Sequence, residues 1–106
     1  MAPRVREVAW AESARDALDE VIEYIAQDSR SAAVRILEEA LEAASALATF
    51  PERGRIVPEL RDPAFREVFV FRYRLLYEVG HDRVLIVAFL HGSRDFATWR
   101  QNQKHV

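Results

Sequence analysis

Five residues in the second half of the chain have side chains that could gather around a phosphate: Arg72, Arg74, His91, Arg94 and Trp99, with Arg53, Arg55 and Arg61 upstream. A guanidinium is planar, permanently charged, pairs bidentately with phosphate or carboxylate, and stacks on rings. Imidazole titrates near neutrality and can take a proton. Two arginines and a histidine held together could stabilise the charge that develops when a 2′-hydroxyl attacks its own phosphodiester, with the histidine as base. Without a base, the same set could still hold a phosphate. Each residue also has a plain structural reading. Arg94 can pair locally with Asp95, His91 can end a strand, and Arg74 can sit solvated on a sheet. Other chemistries lack their residues. There is no glycine-rich phosphate loop, no G-x-S-x-G turn, no H-E-x-x-H and no Ser/His/Asp set in a recognisable setting. The chain has no cysteine, and His81, His91 and His105 are too scattered for metal spacing. No metal or cofactor is expected.

The stretch that must position these side chains is 66–95, REVFVFRYRLLYEVGHDRVLIVAFLHGSRD. Val68–Phe71, Tyr73–Val79 and Val84–Leu90 are short apolar runs rich in β-branched and aromatic residues, and they read as strands. The Gly80–Arg83 break predicts an antiparallel hairpin. Its open end brings Tyr73-Arg74 near Leu90-His91 and the Gly92-Ser93-Arg94 turn, with strands about 5 Å apart. In the middle strand Tyr73, Leu75, Tyr77 and Val79 share a core face, and Arg74, Leu76 and Glu78 share a mixed one. Val84, Ile86, Ala88 and Leu90 alternate with Leu85, Val87, Phe89 and His91. Both sets are mostly apolar, so the last strand is expected to be central and covered on both sides.

At 106 residues the chain is expected to be one domain, 1–106, burying roughly 65% of its unfolded surface. Residues 1–50 carry a net −5 and residues 51–106 a net +3. All but one of the cations in the second half are arginine, the exception being Lys104. No apolar run approaches the roughly 20 residues of a membrane span. The N-terminus, MAPRVREVAW, lacks the apolar core of a secretory signal. Cytoplasmic location is expected.

Residues 4–10 predict a short edge strand. Ala14, Leu18, Val21, Ile22 and Ile25 recur at helical spacing opposite Asp16, Asp19, Glu20 and Glu23, which predicts an amphipathic helix over 12–27, capped near Ser13. A second helix is expected over 31–49, with Val34, Leu37, Leu41, Ala44, Leu47 and Ala48 buried and Pro51 ending it. Residues 51–65 carry three prolines and a glycine and read as an irregular connector. After Asp95 a short helix is possible. The expected fold is α+β: an N-terminal strand, then a helical hairpin packed on a small antiparallel sheet, in the order β-α-α-β-β-β.

The order P-E-R-G-R-x-V-P-E-L (Pro51–Leu60), R-E (Arg66-Glu67), Y-R-L-L-Y-E-V (Tyr73–Val79) and H-G-S-R-D (His91–Asp95), following a helical hairpin, resembles the RelE/ParE superfamily of toxins from toxin–antitoxin modules. The resemblance runs from Val5 to about Trp99. It implies the fold just described, a cognate antitoxin that wraps and silences the toxin, and one of two activities: ribosome-dependent cleavage of mRNA, or inhibition of DNA gyrase without catalysis. On the nuclease reading, Arg74 and Arg94 stabilise the transition state and His91 is the base. The lysines and C-terminal tyrosine of the RelE-like enzymes have no counterpart, and the overall acidity suits ribosomal RNA poorly. The acidic helical hairpin and the H-G-S-R-D ending place the chain closer to the ParE branch. On that reading gyrase is bound through Arg72, Arg74, Arg94 and Trp99, and Arg74 can be removed without unfolding. The antitoxin is expected to cover the apolar sheet face (Leu76, Val84, Ile86, Ala88 and Leu90) or the groove beside the helical hairpin, and DNA is met only through the antitoxin.

Overall fold

The computed structural model describes residues 5–103, apart from the side chains of Ser93 and Arg94. A five-stranded sheet in the order β1-β5-β4-β3-β2 is built from β1 (Glu7–Trp10), β2 (Arg55–Ile56), β3 (Phe65–Val70), β4 (Tyr73–Val79) and β5 (Arg83–Leu90). Strands β2 to β5 are mutually antiparallel, whereas β1 runs parallel to β5, from Glu7↔Arg83 to Trp10↔Ile86. The two-residue β2 lies in the segment expected to be irregular.

Helices α1 (Glu12–Ala26) and α2 (Arg30–Ala46) form the expected hairpin. Ser13 does not cap α1. The cap position is Ala11, whose carbonyl accepts from Ala14 and Arg15 N–H, so Ser13 already lies in the first turn. Ser29 does cap α2, its hydroxyl accepting from Ala32 N–H at 3.2 Å. Helix α2 stops at Ala46, well before Pro51, which opens a 3-10 turn (Pro51–Arg53). Its buried stripe is also rotated from the expected one. Ala33, Ala40, Ala44 and Leu47 face inward, while Val34 and Leu41 are 47% and 49% exposed. Alanines on the inner face let the helix lie close to its neighbours, which turns the two larger side chains out.

Leu76 pairs with Ala88, but Tyr77 pairs with Ile86, so Val87 is an extra residue in β5. This bulge flips the alternation of the strand. Before it, Val84 and Ile86 join the helix-side core with Leu18, Leu47, Leu75 and Tyr77. After it, Ala88 and Leu90 face the other side with Leu76, Val57 and Phe96. That second face is closed by residues 57–65 and by α3 (Gly92–Gln103).

Phe71 and Arg72 make the two-residue tip of the β3–β4 hairpin between Val70 and Tyr73. Phe71 has φ +55°, a region that costs an L-residue about 1–2 kcal/mol and that tips normally assign to glycine or asparagine.

Candidate functional site

On the face of the sheet away from the helical hairpin, Glu67 of β3 and Arg74 of β4 stand as diagonal neighbours. Arg74 Nε donates to Glu67 Oε1 at 2.6 Å. Its two terminal nitrogens make a fork on Glu59, Nη1 to Oε2 at 2.9 Å and Nη2 to Oε1 at 2.8 Å. The guanidinium lies over the Phe96 ring at 5.1 Å. Arg55 Nε donates to the other oxygen of Glu67 at 2.7 Å, and its guanidinium covers Phe69 at 5.2 Å. Arg74 is only 8% exposed and Glu67 is fully buried. Such charges persist inside only when paired on every side, and here they are. The hydrogen bond from Arg74 holds the Glu59 carboxyl below its usual value, and Glu59, ahead of Glu67, raises Arg74 further above the ordinary arginine range.

A second cluster lies beside it. Gly54 N–H donates to Tyr77 Oη at 2.9 Å, and that hydroxyl donates to the Pro51 carbonyl at 2.7 Å. Arg66 Nη1 reaches the Gly54 carbonyl at 3.0 Å. Burial pushes the Tyr77 phenol upward. Pro51–Leu60, Arg66-Glu67 and Tyr73–Val79 are thus one clasp that fastens the 51–60 segment to the sheet.

This geometry divides the constellation expected from sequence. Arg74 points toward α3. His91 lies on the opposite side of the sheet, its ring 5.1 Å from that of Tyr73, which packs on the helix-side core. A base and a charge-stabilising arginine therefore do not converge on one phosphate. His91 N–H donates to Asp95 Oδ2 at 3.0 Å, so the aspartate of H-G-S-R-D ties down the start of α3. The Arg94 side chain lies outside the described residues. Trp99 is half-buried against Phe96, and its indole N–H donates to the carbonyl of the bulged Val87 at 3.2 Å. Arg72 is exposed at the β3–β4 tip.

The proposed antitoxin face needs the same correction. Leu76, Val84, Ile86, Ala88 and Leu90 are all buried, none more than 7% exposed. The bulge splits them between two cores, and α3 with residues 57–65 covers the face expected to take the antitoxin. Glu59, Glu67, Gly54 and Tyr77 were not picked out as site residues. The signal for Glu67 was available, since a carboxylate in a strand shares a face with Arg74 at pairing distance. Among the described residues no group of three His, Asp or Glu side chains could hold a metal ion, and no helix is long and apolar enough to cross a membrane.

The family model for the ParE toxin of type II toxin-antitoxin system, parDE, matches residues 8–96. The chain belongs to the ParE toxin family. It is the toxin component of a type II toxin–antitoxin system. No curated protein sequence matches this ParE family member. Its fold is similar to a chain described as the chromosomal ParDE TA system from P. aeruginosa, with TM-score 0.69, 15% identity, and coverage of 85% of this chain and 99% of that one. It is also similar to a chain of the toxin-antitoxin complex RelBE2 from Mycobacterium tuberculosis, with TM-score 0.59, 25% identity, and coverage of 87% and 94%.

Proposed function

We propose that this ParE family toxin arrests growth by binding DNA gyrase, without catalysis of its own, and that a cognate antitoxin holds it inactive in the cytoplasm. The observation that carries this reading is the engagement of Arg74 with Glu59 and Glu67, and its separation from His91 by the sheet. A nuclease needs those groups free and convergent. The purified, antitoxin-free toxin is expected to abolish gyrase supercoiling and to accumulate cleaved plasmid. Folded toxin that leaves gyrase unaffected and instead cuts mRNA on the ribosome would replace this reading with the RelE-like one.

With the sheet face closed, the groove beside the helical hairpin remains for the antitoxin. Val34 and Leu41 lie seven residues apart on the outer face of α2, and Tyr24 is exposed on α1. An amphipathic helix lays such a stripe into its own apolar face. Leu41→Asp is expected to weaken antitoxin binding by about tenfold or more with little change in melting temperature. Calorimetric titration showing wild-type affinity would refute the assignment. Any DNA contact would come through the antitoxin.

A further inference from the structure

The β3–β4 tip leans over the junction of α1 and α2. Ile25, Arg35, Ile36, Phe71, Arg72 and Tyr73 line a hollow there of about 360 Å³. We propose that this hollow and the Phe71–Arg72 tip form the toxin's contact with its protein target, receiving an apolar side chain flanked by carboxylates. The inference rests on the reading that the toxin acts by binding a target protein.

Three observations converge on it. The first is charge. The walls supply two guanidiniums and no carboxylate, and neither Arg35 nor Arg72 forms an ion pair among the described residues. Arg74 and Arg55, by contrast, are bound to carboxylates of the chain itself. The second is backbone geometry. Phe71 keeps a left-handed conformation that its side chain disfavours, yet 53% of the residue is exposed, so the core is not the reason for an aromatic at this place. The Arg35 guanidinium stands 5.7 Å from the ring centre and presents it at the rim. The third is the surroundings. Apart from the two arginines the lining, Ile25, Ala32, Ile36, Phe71 and Tyr73, is apolar or aromatic, which suits a protein side chain rather than a phosphate backbone. A projecting aromatic beside free arginines is the composition of a binding hot spot. The antitoxin stripe, Val34 and Leu41 with Tyr24, shares no residue with this lining.

The test compares Phe71→Gly and Arg72→Glu with the parent toxin in gyrase inhibition, antitoxin binding, growth arrest and thermal unfolding. Glycine accepts the left-handed backbone, so Phe71→Gly is expected to melt at the same temperature or higher. Both variants are expected to lose about tenfold or more in gyrase inhibition and to bind the antitoxin normally. A variant that is more stable and less toxic is what a binding residue produces and a structural residue does not. Wild-type inhibition by both variants overturns the proposal, as does lost antitoxin binding with inhibition retained. If the parent toxin arrests growth but leaves gyrase alone, the gyrase reading fails by itself. Growth arrest then scores the tip, retained arrest counting against it and lost arrest for it. A parent toxin that does neither overturns both.

Discussion

Arg74→Met is expected to remove about 3 kcal/mol of folding stability, because it leaves buried Glu67 with Arg55 alone and Glu59 without its cation. Small domains have only about 5–15 kcal/mol in total, so the variant should unfold at a much lower urea concentration or fail to accumulate. An unchanged urea midpoint would show that the network is not structural. The pH dependence gives a second check. The Arg74 hydrogen bond depresses the Glu59 carboxyl from its usual 4.5. A depressed carboxyl contributes stability above its unfolded value and loses it as the pH falls through the folded one. The gap between wild type and Arg74→Met should therefore narrow below about pH 4.5. Arg74 itself, raised in the folded state, stays charged throughout. Lost toxicity in an Arg74 variant would thus report a lost fold before a lost target contact.

Gly54→Ala is expected to be comparably damaging. A methyl there would sit 2.5 Å from the Glu67 carbonyl oxygen and 2.6 Å from Tyr77 Oη. Neither can yield freely, since one is backbone in the middle of the sheet and the other is held by the Pro51 carbonyl. Overpacking of this kind costs about 1–3 kcal/mol or more, and displacing the hydroxyl adds about 1–3 kcal/mol for the buried polar groups it satisfied. Adding Tyr77→Phe should rescue part of the first substitution, because it removes one of the two obstacles. Equilibrium unfolding of the two single variants and the double variant measures that coupling. Strict additivity would mean that Tyr77 and Gly54 do not act as a unit.

Much of the fold was legible because periodicity reports burial directly. The spacing of Leu18, Val21, Ile22 and Ile25 placed α1, and the apolar runs placed β3 to β5. Three features were not. The orientation of α2 turned on which of two nearly equivalent stripes faced inward, and small alanines won over the larger Val34 and Leu41. The bulge at Val87 has no local signature, because every residue from Val84 to Leu90 is apolar and a register shift leaves the pattern unaltered. The setting of Arg74 was hidden for a related reason. Sequence shows that Arg74 is a cation in a strand, but not that Glu59, fifteen residues earlier, folds back to meet it. Three of the four motifs that carry the family resemblance hold the 51–60 segment against the sheet, and the fourth fastens the start of α3.

β5 sits between β1 and β4, and both cores lean on it. Without β5, β1 has no strand partner, because its ladder runs only to β5. Sheet closure waits for the strand that begins at Arg83, and its pairing with Glu7 closes residues 7–83 into one loop, the slow, non-local kind of step. The two cores are therefore expected to form together and late in folding, once β5 is in place.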